Sequence, residues 1–298
     1  MRIFDNQPLA LFHALTEEKG RGKFIGRFGT TGHIHAGHLT NLKKMRERCD
    51  ILVVSFVYYF PALFGAISRG TYISQYYELM HRDLSLLAEL DFEIDYVSFD
   101  YLNRQIFEAG MENRVSIEGD PIFDKLGYEI KHSDYIKTYV ACLMTRPRHE
   151  QLADVSWISE KDGLPLITAI HLNRGGNYAV CPAVRRSDGA LYDSKDSMIP
   201  ENLQQEKWRL GEVSRKYQEM IYEARKLSDM EEEARSCLGS NINFRGSILI
   251  DLDSMESINV IKGDNIYFEF VVDIGGIRFT DAKIMTKDKK LWLPVETF

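Results

Sequence analysis

Apolar residues follow two rhythms along this chain. In the first half, compact apolar runs alternate with stretches spaced for a helix. Phe24–Phe28 and Ile51–Val57 are runs of the kind a buried strand needs. Between them Leu39, Leu42 and Met45 recur at helical spacing and predict a helix over Leu39–Cys49. Tyr76, Leu79, Leu86, Leu87 and Leu90 mark the apolar side of an amphipathic helix over Tyr76–Leu90. Phe92–Val97 then reads as a short strand and Ile136–Leu143 as a helix. Val155–Ile158 and Leu166–His171 read as further strand material, although Pro165 interrupts the second. Strands alternating with helices imply a parallel sheet with helices on both faces. Ligands of such sheets sit at the carboxyl ends of the strands, near a topological switch point.

The rhythm changes near Cys181-Pro182. Glu201–Cys237 is rich in Glu, Lys, Arg, Gln and Leu and predicts one long helix or two, with Glu231-Glu232-Glu233 as a solvated helix face. After Gly239 the pattern turns to strands: Ser247–Leu252, Ile266–Val272 and Ile277–Phe279. The expected architecture is therefore α/β. A Rossmann-like domain over residues 1–183 is followed by a smaller α+β domain over 184–298.

Composition narrows the class without naming it. The chain has 298 residues, 44% hydrophobic and 27% charged, which is ordinary for a soluble globular protein with one or two domains. A formal net charge of -7 argues against a general nucleic-acid surface but leaves room for a local basic pocket. No apolar run is long enough to span a membrane. Met1–Ala14 contains Asp5 and lacks the layout of a signal peptide, so a cytoplasmic protein is expected. Cys49, Cys142, Cys181 and Cys237 are widely spread with no C-x-x-C pair, which suits free thiols in a reducing compartment.

Three segments carry candidate chemistry. The first joins the two apolar runs: Gly29-Thr30-Thr31-Gly32, then His35-Ala36-Gly37-His38 at the start of a helix. Glycine permits close backbone approach to a phosphate, and a helix N-terminus offers free N–H groups at a positive dipole end. Two imidazoles three positions apart can donate to the charge that builds on an attacked α-phosphorus. An isolated H-x-G-H fits a packed helix start equally well. The strand–turn–helix setting is what favours a nucleotide. The second segment, Arg185–Ser197, combines guanidinium, ammonium and hydroxyl groups around an Asp188-Gly189 turn. A loop bearing Ser194 and Lys195 could close over a triphosphate, hold the departing pyrophosphate and exclude water. By itself the same composition describes a polar linker. The third, Ser159-Glu160-Lys161-Asp162, follows an apolar run. Lys161 suits a phosphate and Asp162 a ribose hydroxyl or a metal; a surface turn with an ion pair is the alternative.

In this order and spacing the segments resemble pantothenate synthetases, the pantoate–β-alanine ligase family of the H-x-G-H nucleotidyltransferase superfamily, over nearly the whole chain. Thr30–Leu39 resembles the family's T-M-G-A-L-H-E-G-H-L. Val54–Gly65 resembles V-S-I-F-V-N-P-x-Q-F-G, Asp83–Leu87 resembles D-x-x-L-L, and Trp157–Asp162 resembles F-G-E-K-D. Val184–Gly189 resembles V-R-E-x-D-G, and Asp193-Ser194-Lys195-Asp196 stands where the family has S-S-R-N. Gly275–Asp281 resembles G-x-T-R-L-I-D. The resemblance implies an ATP-dependent ligase. A carboxylate attacks the ATP α-phosphorus to give an acyl-adenylate and pyrophosphate, and an amine then displaces AMP. It implies nucleotide contacts from Thr31, Gly32, His35, Gly37, His38, Ser159, Lys161, Asp162, Val184, Ser194 and Lys195. His35, His38, Lys161 and Lys195 would act in catalysis, with Lys195 in place of an arginine. Mg²⁺ would accompany the triphosphate, and a homodimer is implied.

Departures from the family cluster where the acid should bind. The glutamine that holds pantoate falls on Leu63, a second such glutamine falls on Pro165, and Tyr58 and Tyr59 stand near the family's asparagine. The R-P-G-H-F segment is replaced by Lys131-His132-Ser133-Asp134-Tyr135. Leucine and proline cannot supply an amide's hydrogen bonds, and each lost contact costs roughly 1–3 kcal/mol. Two such losses argue against pantoate, and a ligase with a substrate pocket lined by Tyr58, Tyr59, Leu63 and Pro165 is therefore expected to act on a different acid, a different amine, or both. The alternatives are a nucleotidyltransferase that passes AMP or CMP to a phosphate or phosphonate, an authentic but divergent pantothenate synthetase, or a nucleotide-binding regulator without catalysis.

Overall fold

The computed structural model describes residues 1–5, 7–30, 32–56, 69–99, 152–162 and 178–286. The helix expected over Ile136–Leu143 and the strand over Leu166–His171 lie outside these residues.

Six parallel strands form the first sheet: β1 (Arg2–Asp5), β2 (Ile25–Thr30), β3 (Ile51–Phe56), β4 (Tyr96–Phe99), β5 (Val155–Ser159) and β6 (Tyr178–Cys181). Their order is β1-β4-β3-β2-β5-β6. The chain steps from β2 through β3 to β4 in one direction, then returns to β5 and β6 on the other side. The switch point therefore lies between β2 and β5, which places their carboxyl ends where such folds bind ligands.

Among the described residues three helices cover the sheet: α1 (Pro8–Gly20), α2 (Ala36–Arg46) and α3 (Arg69–Ala88). Leu11 and Leu15 of α1 pack with Phe4, Ile25, Ile51 and Val53 on one face. Leu42 and Met45 of α2 and Leu87 of α3 pack with Phe28, Leu52, Val54, Val97 and Trp157 on the other. Both faces being covered explains why all six residues of β3 are buried and all but Ser55 are apolar. Helix α2 begins three residues before its expected start, because His35 takes the capping position in extended backbone (φ -139°, ψ 171°). Strand β4 forms over Tyr96–Phe99 rather than Phe92–Val97. Strand β1 and helix α1 are additions to the elements expected from the sequence. The burial pattern of β1 exposes all but Phe4, so it carries almost no periodic signal.

The second sheet is antiparallel: β7 (Ile242–Asp251), β8 (Glu256–Ser257), β9 (Asn265–Ile274) and β10 (Ile277–Thr286), in the order β10-β9-β7-β8. Gly275 and Gly276 turn β9 into β10 with φ of 58° and 82°, as a two-residue hairpin requires. Helices α4 (Trp208–Tyr222) and α5 (Leu227–Cys237) bury Leu210, Val213, Tyr217 and Met230 against Leu249, Phe268, Phe270 and Val272. The long helical stretch is thus two helices, broken at Ala224 with φ 54°, after a 3₁₀ segment over Glu201–Lys207. The expectation of a solvated Glu231–Glu233 face holds at Glu232 and Glu233 and needs correction at Glu231. Glu231 accepts hydrogen bonds from the N–H and hydroxyl of Ser247 at 2.9 Å each, and Glu233 pairs with Lys216. Cys49, Cys181 and Cys237 are free thiols; Cys142 lies outside the described residues. Among the described residues no helix is long and apolar enough to cross a membrane.

Candidate functional site

The site begins where β2 runs out. Gly32 (φ 86°) and His33 (φ 54°) carry the chain through a left-handed turn. A side chain at such a φ costs about 1–2 kcal/mol, so something must hold His33 there. Asp83 of α3 is the anchor. Its fully buried carboxylate accepts the Ile34 N–H at 2.9 Å, and the His33 N–H also bonds it. His35 then caps α2, with the Leu39 N–H on its carbonyl at 3.2 Å. This brings His35 and His38 together on the first turn, their rings stacked 3.8 Å apart with 25° between planes. Phe28 meets His38 edge-on at 5.6 Å, and Tyr192 lies nearly parallel to His35 at 5.9 Å. Gly37 makes the stack possible. A Cβ there would lie 3.0 Å from the His35 ring and 3.2 Å from Tyr192 Cβ.

Both imidazoles are held neutral. Burial first, and Lys161 second, depress His35 to about 4. Burial, then His35 and Lys161, push His38 well below its ordinary value. A neutral imidazole keeps one N–H donor, so the stack can still donate to a phosphate oxygen at neutral pH.

The other two segments converge on this turn. Residues 184–192 form a small hairpin. Arg185 bridges Leu191, the Val184 carbonyl accepts the Tyr192 N–H at 3.2 Å, and Asp188-Gly189 forms the expected turn with Gly189 at φ 85°. The Arg185 guanidinium forks onto both carboxylate oxygens of Asp281 in β10, at 2.7 and 2.9 Å. The chain then leads to Ser194, whose hydroxyl donates to the Gly32 carbonyl at 3.2 Å. Lys161 arrives from the 3₁₀ turn Glu160–Asp162 after β5, where Ser159 Oγ accepts its N–H at 3.4 Å. Its ammonium pairs with Asp193 at 2.5 Å. Lys195 donates its backbone N–H to Asp193 at 2.9 Å and its ammonium to the Arg278 carbonyl. Lys207 is 2% exposed and pairs with Asp196. Lys195 and Lys207 flank the Phe279 ring at 5.1 and 5.2 Å. Burial alone would raise the Asp193 carboxyl; Lys161, Lys195 and Lys207 outweigh it and hold the group far below the carboxylate range.

Gly32, His35, Gly37, His38, Ser159, Lys161, Val184, Ser194 and Lys195 therefore share one neighbourhood. Thr31, Tyr58, Tyr59, Leu63 and Pro165 lie outside the described residues, as does the side chain of Asp162. Sequence reasoning missed Asp83, Asp193, Lys207 and Tyr192 as members of the site. Asp83 gave a faint signal, as the acid of the D-x-x-L-L helix. Among the described residues no group of three or more His, Cys, Asp or Glu could hold a metal, and Asp193 and Asp196 are each bonded to a lysine. Among the described residues this donor set does not form a magnesium cage.

Asp83 yields a test. Burial is the main cause that lifts its carboxyl from 3.8 to about 6. A raised acid contributes stability that is complete below the unfolded value and is lost as pH rises through the folded one. At about 1.4 kcal/mol per pKa unit the contribution is at most roughly 3 kcal/mol. Urea unfolding of the wild type and Asp83→Asn should therefore show wild-type stability falling relative to the variant between about pH 4 and about pH 6, then a constant gap. A gap that stays flat across that window would remove Asp83 as the titrating anchor.

The sequence profile of the pantoate-beta-alanine ligase family matches residues 6–284. The chain belongs to that family. Its members are ATP-dependent ligases. The pantothenate synthetase of Carboxydothermus hydrogenoformans is 25% identical over 299 residues, covering 97% of this chain and all of that one. That of Fervidobacterium nodosum is 26% identical, covering 90% and 94%. The crystal structure of pantothenate synthetase from Thermus thermophilus superposes with a TM-score of 0.72 at 17% identity, over 95% of this chain and 98% of that one. That likeness bears out the expected α/β fold with its smaller second sheet. The Francisella tularensis pantoate-beta-alanine ligase, solved with a β,γ-ATP ligand and β-alanine, superposes with a TM-score of 0.61 at 18% identity.

Proposed function

We propose that this chain activates a carboxylic acid other than pantoate as an acyl-adenylate and passes the acyl group to an amine. The observation that carries the ligase chemistry is the convergence of the His35–His38 stack, Ser194, Lys161 and Lys195 at the β2/β5 switch point. In the first step a substrate carboxylate oxygen attacks the α-phosphorus. The bond to the β-phosphate bridging oxygen breaks, and pyrophosphate leaves with its electron pair. His35 and His38 donate to the α-phosphate oxygens as charge builds there. Lys161 and Lys195 hold the β- and γ-phosphates, and Ser194 closes the loop over the glycine turn. Gly32 and Gly37 let the phosphates approach the backbone, with Thr31, Ser159, Asp162 and Val184 completing the nucleotide contacts. In the second step the amine nitrogen attacks the acyl carbon, the bond to AMP breaks and the amine loses a proton. Magnesium, where bound, would neutralise charge on the triphosphate, whose oxygens suit a hard cation.

Residues 1–183 serve as the nucleotide domain and 184–298 as the lid. The active form is a cytoplasmic homodimer, with no membrane or nucleic-acid partner. The choice of acid rests on Leu63 and Pro165 standing where pantoate-holding glutamines are expected, with Tyr58 and Tyr59 beside them.

Pyrophosphate release with ATP or CTP against a panel of acids, pantoate and β-alanine included, tests both halves. Release with another acid, and amide formation once an amine is added, is the expected result. Turnover with pantoate as the best acid would overturn the substrate assignment. A stable nucleotidyl product on a phosphate or phosphonate would overturn the ligase.

A further inference from the structure

We propose that Asp193 is a resident counter-ion that occupies the lysine cradle in place of phosphate and sets how tightly polyphosphate binds. The inference rests on the assignment of Lys161 and Lys195 to the triphosphate. The resembling motif has a serine at this place, S-S-R-N, so the chain has put a carboxylate where a neutral hydroxyl would stand. One carboxylate oxygen takes the Lys161 ammonium at 2.5 Å, with the Lys195 ammonium 4.0 Å away. The other takes the Lys195 backbone N–H at 2.9 Å. Ammonium and amide donors around two anionic oxygens is how a protein holds a phosphate. Asp193 is 3% exposed, so the cradle is closed around it. Asp196 accepts the Lys207 ammonium and, through its other oxygen, the Asp193 N–H at 3.1 Å, fixing the carboxylate from behind.

The charges give the consequence. Within this group of five described residues, Lys161, Lys195 and Lys207 contribute three positive charges, and Asp193 and Asp196 two negative ones, a net of one positive charge. An entering phosphate must part Lys161 from Asp193 and then sit beside a carboxylate, unless that carboxylate swings out. Like charges brought together in an enclosed site are costly. Removing the carboxylate leaves the lysines in the same loops with two net positive charges.

The experiment is a calorimetric titration of inorganic tripolyphosphate into the full-length wild type, Asp193→Ser and Asp193→Asn, with thermal unfolding as the check on folding. Asp193→Asn keeps an oxygen for the Lys195 N–H and covers the case in which the serine variant does not fold. Both variants are expected to bind tripolyphosphate about tenfold more tightly or better, a gain that the loss of a merely structural contact would not produce. Folded variants that bind equally or more weakly would overturn the proposal and make Asp193 a residue that positions the lysines. That failure is separable from failure of the ligase reading. Wild-type pyrophosphate release with unchanged variant affinity sinks only the counter-ion, whereas tighter variant binding with no release from any acid sinks only the ligase.

Discussion

His38→Ala will lower the rate of pyrophosphate release by about 10²–10³-fold while leaving the protein folded. His38 sits on the first turn of α2, stacked on His35 and edge-on to Phe28. Its Nδ1 is buried with no hydrogen-bond partner among the described residues, so the ring's remaining polarity is spent on no structural bond. Alanine suits a helix and leaves the Asp83 anchor untouched, so the turn should hold. Because burial keeps both imidazoles neutral, the rate should show no loss from their titration between about pH 6 and about pH 8. Single-turnover release of pyrophosphate under saturating ATP separates this from weaker binding. Near-normal turnover in a folded His38→Ala protein would take the histidine out of the chemistry.

The largest effect on stability is expected at Asp281. Its carboxylate is 2% exposed and accepts both arms of Arg185, with the Ser214 hydroxyl at 3.5 Å. Asp281→Ala leaves a half-enclosed guanidinium without its counter-charge, and breaking such pairs costs about 3–5 kcal/mol. Arg185 retains some contact with water, which favours the lower end. Replacing both partners with apolar residues, as in Arg185→Met with Asp281→Leu, should restore most of the loss, because no buried charge is then left alone. Urea unfolding of the single and double variants decides it. A single-variant cost below about 1 kcal/mol would mean that water already satisfies the pair.

The β2–α2–β3 unit was legible because its strands are buried on both faces and its turn is spelled in glycine and histidine. The pairing of His35 with His38 was legible from their three-position spacing where a glycine turn enters a helix. Lys161 and Ser194 were legible by chemistry, since few side chains suit a phosphate. Asp193 was not. In a polar loop a carboxylate looks like solvation, and only the fold reveals that lysines from three separate segments surround it. The break at Ala224 was equally silent, since an alanine gives no hint of a left-handed φ. Strand β10 runs well past its apolar start because Thr280 and the buried Asp281 interrupt the pattern that marks a strand.

Glu160 has a consequence for how this protein can vary. One of its oxygens accepts the Ala183 N–H at 3.1 Å, just past β6, and the other accepts the Ile284 N–H at 2.6 Å in β10. A single carboxylate thus fastens the edge of the parallel sheet to the antiparallel one, and the next residue in the chain is Lys161. A chimera that exchanged the second sheet between distant relatives would have to reproduce that one backbone N–H in place, or strand a buried carboxylate beside the phosphate lysine. The two halves are therefore poor modules. They must be inherited, or redesigned, as a pair.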